Sequence, residues 1–156
     1  MHPVATAGSP RRTRSRPGPV RGDIRIKRVY DPAAADDGVR VLVDRLWPRG
    51  MRKADLAADL WLKDAAPSAT LRQWFGHDPE RWDGFRERYR AELVERPGVI
   101  AQLLALARHG RLTLVYGARD EAHNQAVVLR SLLVQRLPPV PRSSRLAVSR
   151  SRRKGA

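Results

Sequence analysis

The sequence has no cysteine, and this absence excludes several kinds of chemistry. Without a thiol the 156-residue chain forms no disulfide, holds no thiolate metal site and uses no cysteine nucleophile. No apolar run approaches the roughly 18 residues of a membrane span, and the first residues lack the apolar core of a signal peptide. The sequence therefore predicts a soluble, cytoplasmic protein without membrane contact.

Familiar catalytic and metal-binding signatures are also missing. The glycines at positions 50 and 117 fit neither a Walker loop nor a GxGxxG pattern, and no GxSxG motif occurs. His77 and His123 lack a local ligand pair such as His-x-x-x-His. We therefore expect no metal site and no cofactor.

The two ends of the chain lack acidic and aromatic residues. Residues 1–22 carry five arginines, and residues 138–156 carry five arginines and one lysine. Few large apolar side chains are present to offset the entropy of ordering, so we predict disordered basic tails around one folded domain at residues 23–137. Removing the 11 tail charges from 31 basic residues leaves 20 against 16 acidic ones, so the domain itself is only about +4.

Three segments have strand character. Residues 23–30 show a weak period of two, residues 39–46 have an apolar centre, and residues 112–116 are almost wholly apolar. Because strands joined through helices favour parallel pairing, the fold class is predicted as α/β. We expect a small three-layer domain with a short, mostly parallel sheet flanked by helices. The alternative for the first two strands, which only a short turn separates, is antiparallel pairing.

The helices are indicated by their caps. Ser68 and Asp78 stand where N-cap residues are favoured, and Asp78 is followed by proline. The helix that precedes the last strand is predicted to end at Gly110, which would be its C′ residue. Asp120 is predicted to cap the final helix, which would put His123 at its third position.

Polar residues follow the second and the last predicted strands. Residues 44–50 read DRLWPRG, and residues 116–124 read YGARDEAHN. If these strands are parallel, both segments lie at one edge of the sheet, where ligands of α/β proteins bind and where a helix start attracts anions. The predicted ligand-binding residues are Arg45, Trp47, Arg49, Tyr116, Arg119 and Asn124.

Three arginines at this edge are the clearest candidates for binding an anion. Arg45, Arg49 and Arg119 carry guanidinium forks that suit carboxylate or phosphate, and Arg119 is the strongest single candidate. The alternative is structural, because Asp44 and Asp120 could absorb two of these charges in ion pairs.

Two histidines are open to different interpretations. His123 is the candidate catalytic residue, because an imidazole can move a proton near neutral pH, but a packed structural histidine is the alternative. His77 lies between two predicted helices and shapes a turn.

Five motifs occur in a fixed order with unusual tryptophan placement: RVY at 28–30, VLVDRLWPRG at 41–50, WLK at 61–63, WFGHDPERW at 74–82 and YGARDEAHN at 116–124. They resemble the YeaO-like branch of the DUF488 family over residues 23–137. The resemblance implies an α/β domain in cytoplasmic proteins of bacteria and archaea, with no settled activity. Members usually carry alanine in place of Gly117 and a second histidine in place of Gln125, which argues against a two-histidine metal site here.

Two functions follow from these features. The first is a domain that binds, or also transforms, a small anionic or phosphorylated ligand at the carboxyl edge of the sheet. The alternative is a non-enzymatic adaptor that associates with nucleic acid through its arginine-rich tails, which would contact phosphates without reading sequence. The oligomeric state is left open.

Overall fold

The computed structural model describes residues 21–137, so the predicted tails lie outside the described residues apart from positions 21 and 22. The strands are β1 (Ile24–Arg28), β2 (Val39–Leu42), β3 (Leu60–Trp61) and β4 (Leu112–Tyr116). The α-helices are α1 (Lys53–Leu56), α2 (Ala69–Phe75), α3 (Trp82–Val94), α4 (Pro97–His109) and α5 (Gln125–Arg136). None of these helices is long and apolar enough to cross a membrane.

The sheet is wholly parallel within this range, in the order β1-β4-β2-β3. Strand β4 is central, with Leu112 opposite Ile24 of β1 on one side and opposite Val39 of β2 on the other. The parallel pairing of the second and last strands is confirmed. Antiparallel pairing of the first two strands is wrong, because β4 lies between them. Its five residues are all buried, as expected for a strand covered on both faces.

Apolar side chains cover both faces of the sheet unequally. On one face Val41 and Leu114 pack with the large core formed by helices α2 to α5. On the other face Leu42 and Val115 pack with Leu56 of the short helix α1. These two clusters give the domain its three layers, and the predicted fold class is confirmed.

The predicted caps of the middle helices are confirmed, but that of the last helix is wrong. Ser68 Oγ accepts a hydrogen bond from the Leu71 amide, and Asp78 caps a short 3₁₀ turn that leads into α3. Helix α5 begins only at Gln125, and Asn124 caps it. Asp120 instead accepts hydrogen bonds from two loop amides, so the chain turns there before any helix starts.

Smaller features also differ from the prediction. Strand β2 ends at Leu42, four residues early, and β3 was not predicted because only two of its residues pair. Gly110 follows the end of α4 but has a φ of 176°, so it is extended rather than a left-handed C′ residue. Trp74 and Trp82 pack half-buried against the main cluster.

A buried polar network closes the opposite, amino-terminal edge of the sheet. Arg40 is only 3% exposed, and its guanidinium pairs with Asp37 at 2.6 Å and donates to the Leu56 carbonyl. The Asp37 carbonyl accepts from Thr113 Oγ1 at 2.6 Å. The buried charges of Arg40 and Asp37 are therefore paired with each other.

Gly38 in this network provides a test of the fold. Its φ of 70° and ψ of −141° are nearly restricted to glycine, and an added Cβ would lie 2.2 Å from the Arg111 carbonyl oxygen. We expect Gly38→Ala to lower the free energy of unfolding by about 3 kcal/mol or more. Urea unfolding followed by circular dichroism measures the change.

Gly98→Ala is the matched control. Gly98 lies in the first turn of α4, and a Cβ there would meet no heavy atom within 4 Å. That variant should be neutral or more stable by up to about 1 kcal/mol, because alanine favours helix. Equal stabilities of the two variants would contradict the strained geometry at Gly38.

Candidate functional site

A cavity of about 590 Å³ opens at the carboxyl edge of the sheet. Tyr30 after β1, residues 44–49 after β2, and residues 117, 118 and 123–125 after β4 form one side of it. Parts of residues 67–77, in and around α2, and Phe85 on α3 form the other side. The segments that follow the parallel strands therefore meet at one site.

Asp44 connects the segment after β2 with the segment between β4 and α5. Its Oδ2 accepts a hydrogen bond from the Gly117 amide at 2.9 Å, and its Oδ1 accepts one from Gln125 Nε2 at 2.5 Å. Its carbonyl accepts from Trp61 Nε1 on the edge strand at 2.8 Å. A Cβ on Gly117 would lie 2.9 Å from Asp44 Oδ2, so a larger residue at position 117 requires the Asp44 carboxylate to shift.

The same burial changes the acidity of Asp44. Loss of hydration raises the pKa of the carboxyl from 3.8 to about 6, while the hydrogen bonds from Gly117 and Gln125 and the charge of Arg72 act in the opposite direction. Asp44 is therefore ionised at neutral pH at a cost in stability.

Three guanidinium groups border the cavity without a partner among the described residues. Within residues 21–137, the side chains of Arg45, Arg49 and Arg72 make no ion pair or hydrogen bond, and Arg45 Nε is buried with no partner at all. Neither aspartate of the structural alternative, Asp44 or Asp120, pairs with them.

Two predicted ligand-binding residues lie outside the cavity wall. Arg119 is exposed, in the loop between β4 and α5, and Tyr116 is 2% exposed within the main core. The prediction that Arg119 contacts a ligand assumed that Asp120 caps the final helix. Since α5 starts at Gln125, Arg119 lies in a longer loop, whose Ala118 carbonyl accepts from Arg28 Nε at 2.9 Å.

His123 borders the cavity and is held by Asp120. Its Nδ1 lies 2.9 Å from Asp120 Oδ2, and its backbone amide donates to Asp120 Oδ1 at 3.0 Å. The hydrogen bond from the His123 side chain is the main reason that the pKa of Asp120 is lowered. The ring also contacts the Trp82 ring edge-on at 5.1 Å. A neutral His123 in this arrangement carries its proton on Nδ1 and leaves Nε2 as an acceptor.

Asn124, Trp47 and His77 also line the cavity, and the first two form hydrogen bonds within the domain. Asn124 Oδ1 accepts from the Val127 amide and its Nδ2 donates to the Asp120 carbonyl, so both ends of the amide are used. Trp47 Nε1 donates to the Met51 carbonyl at 2.7 Å. His77 has a left-handed φ of 58° and lies in the cavity wall, a position that the sequence could not show.

Sequence reasoning missed the contribution of the middle helices. Arg72 on α2 and Phe85 on α3 line the cavity, but one is an ordinary exposed arginine and the other belongs to an amphipathic stripe. Only the packing of α2 and α3 over the sheet brings them to the site. Gln125 could be singled out as a departure from related sequences, but not as a partner of Asp44.

The cavity wall combines charged, polar and aromatic groups. Guanidinium, amide, imidazole and aromatic groups line it together with one carboxylate, and no serine, threonine, cysteine or lysine is among the lining residues described. Within residues 21–137 no three or more histidine, aspartate or glutamate side chains are grouped so that they could hold a metal ion.

A parallel α/β domain with an arginine-lined cavity beyond its strands is the class of protein defined by this fold and site. The chain belongs to the DUF488 family: the profile described as "Inactive DUF488-N3 subclade" matches residues 23–148. The family resemblance found in the motifs is thus confirmed. The match starts at the predicted domain boundary and extends past Leu137.

Two relatives show the same similarity. "Uncharacterized protein YeaO" of Escherichia coli K12 is 46% identical over 111 residues, which cover 71% of this chain and 96% of the relative. "Uncharacterized protein Rv3073c" of Mycobacterium tuberculosis H37Rv is 46% identical over 110 residues, or 70% of this chain and 92% of the relative. No solved structure matches significantly.

The pKa of Asp44 predicts a pH dependence of stability. Because the folded state holds this proton more tightly, the stability linked to it is present below pH 3.8 and is lost as the pH rises through about 6. A shift from 3.8 to about 6 corresponds to about 3 kcal/mol. Asp44→Asn lacks this loss, so its stability relative to the unaltered chain should rise by about that amount between pH 4 and pH 7.5.

Urea unfolding at both pH values measures this difference. Asp83→Asn, whose parent side chain is 88% exposed, is the control for loss of a carboxylate. If the two variants changed with pH in parallel, burial would not control the acidity of Asp44.

Proposed function

We propose that this domain binds a small anionic ligand, such as a phosphorylated metabolite, in the cavity at the carboxyl edge of its sheet, and that it does so without transforming the ligand. The observation that carries the proposal is the set of three guanidinium groups, those of Arg45, Arg49 and Arg72, that border the cavity without an ion-pair or hydrogen-bond partner among residues 21–137. A carboxylate or phosphate oxygen is the strongest partner for a guanidinium.

The charge around Arg45 supports the same ligand class. Arg49 and Arg72 border the cavity and find no carboxylate in the described part of the chain. Asp44 is the one acidic residue of the lining, and it is already bonded to Gly117 and Gln125. Three guanidinium groups against one carboxylate leave an excess of positive charge that attracts anions.

The size and the remaining walls suit a molecule larger than an inorganic ion. Small-molecule sites typically enclose about 300–1,000 Å³ and combine apolar walls with a few polar groups, and this cavity has about 590 Å³. Tyr30, Trp47, Phe75 and Phe85 supply the apolar part. These features favour an organic anion with a ring or an alkyl portion.

Binding without turnover is supported by what surrounds the cavity. Its described lining has no hydroxyl, thiol or amine nucleophile apart from the phenol of Tyr30, and the matching subclade is itself described as inactive. His123 remains the candidate for proton transfer, but its Nδ1 is occupied by Asp120. A role as a ligand sensor needs only the groups that bind.

Nucleic-acid association through the tails, and a cytoplasmic location, stay predictions from the sequence. The tails lie outside the described residues, so no contact of theirs supports or opposes the adaptor function.

Binding of phenyl phosphate to the full-length chain tests the proposal. A ligand that binds only the folded state raises the midpoint of thermal unfolding. Arg45→Gln should lower the affinity for phenyl phosphate about tenfold or more, because a charge-assisted hydrogen bond is worth about 1.5–3 kcal/mol. Calorimetric titration at fixed ionic strength gives the affinities.

Arg119→Gln is the matched control, since Arg119 is exposed and does not line the cavity. Its affinity should stay within about twofold of the unaltered chain. Equal losses in both variants would indicate a diffuse charge effect, and no binding of any organic phosphate or carboxylate would refute the proposal.

A further inference from the structure

Asp44 has hydrogen-bonding capacity that the protein leaves unused. An ionised carboxylate offers about four lone-pair positions. Within residues 21–137 its oxygens accept only two bonds, one on Oδ2 from Gly117 and one on Oδ1 from Gln125. Because Asp44 borders the cavity, the unused acceptor positions are available to a ligand there.

The neighbouring positive charges do not fill these positions. Arg72 is near enough for its charge to oppose the rise in the pKa of Asp44, yet the two side chains form no ion pair, and neither does Arg45. Within the part of the chain that the structure describes, the cavity thus has acceptor positions and guanidinium donors without partners. A carboxylate in the wall of a site for a simple anion would repel that anion.

We propose that the cavity recognises a two-pole ligand, with an N–H donor that binds Asp44 and an anionic group that binds Arg45 and Arg72. This inference rests on the proposed function and narrows its ligand class. Aromatic walls that include Trp47 and Phe75 would contact the part of the ligand between the poles. Phosphorylated amino compounds and nucleoside phosphates both have this chemistry.

Calorimetric titration of the full-length chain with three phosphomonoesters distinguishes these possibilities. Phenyl phosphate carries only the anionic pole, O-phosphoserine adds an ammonium group, and guanosine 5′-monophosphate adds ring N–H donors. We expect at least one of the last two to bind tenfold or more tighter than phenyl phosphate, because a site with buried hydrogen-bonding groups rejects analogues that leave them unpaired. The tighter of the two identifies the source of the donor.

Two substitutions test recognition of the donor pole and of the anionic pole separately. Asp44→Asn should remove most of the advantage of the donor-bearing ester over phenyl phosphate, whose own affinity should stay the same or rise because a repelling charge is lost. Arg45→Gln should weaken all three esters. If neither donor-bearing ester exceeds phenyl phosphate, or if the advantage survives Asp44→Asn, the two-pole ligand is refuted and the anion site stands. Absence of binding by all three esters refutes both.

A second measurement needs no variant at position 44. The ratio of the affinities for the donor-bearing ester and phenyl phosphate should fall between pH 8 and pH 5, because protonation of Asp44 occupies an acceptor position. The other charged or titratable groups around Asp44 are Arg45, Arg49, Arg72, His77, His123 and the buried Tyr89. These groups, and the phosphate itself, act on both esters, so their effects largely cancel in the ratio. A constant ratio would refute the role of Asp44.

Discussion

The central position of β4 is the constraint on which the site depends. A buried strand must pair its backbone groups on both sides, and β4 does so with β1 and β2 in parallel. Its carboxyl end therefore lies between the other two, and residue 117 comes to within hydrogen-bonding distance of Asp44. The cavity is a consequence of this arrangement, because three chain segments leave the sheet at the same edge and α2 and α3 pack over them.

The parts of the fold that could be predicted have local causes. The apolar composition of residues 112–116 indicates a strand buried on both faces, and Ser68 and Asp78 cap nearby amides. The position of the final helix could not be predicted in the same way. Asp120 and Asn124 are both favoured as N-caps, and Gln125, where α5 begins, is bonded to Asp44, 81 residues away in sequence, a contact that local patterns do not reveal.

The candidate site likewise has residues that the local sequence could predict and residues that only tertiary packing brings together. Asp44, Arg45, Trp47, Arg49, His123 and Asn124 adjoin the ends of β2 and β4 and could be assigned to the site from the sequence. Arg72 and His77 join them only because α2 and its following turn lie over the sheet edge. The segment that contains Arg119 adjoins the cavity, but Arg119 itself is exposed and lies outside the lining. The orientation of a loop residue depends on where the next helix starts, and sequence patterns do not determine that start to within a few residues.

The contact between Gly117 and Asp44 has a consequence for how this site changes over time. With only 2.9 Å between a would-be Cβ and Asp44 Oδ2, a larger residue at position 117 requires the carboxylate to shift. Residues in such contact show non-additive energetics. We therefore expect positions 44 and 117 to be epistatic, so that a change at one alters which residues the other tolerates.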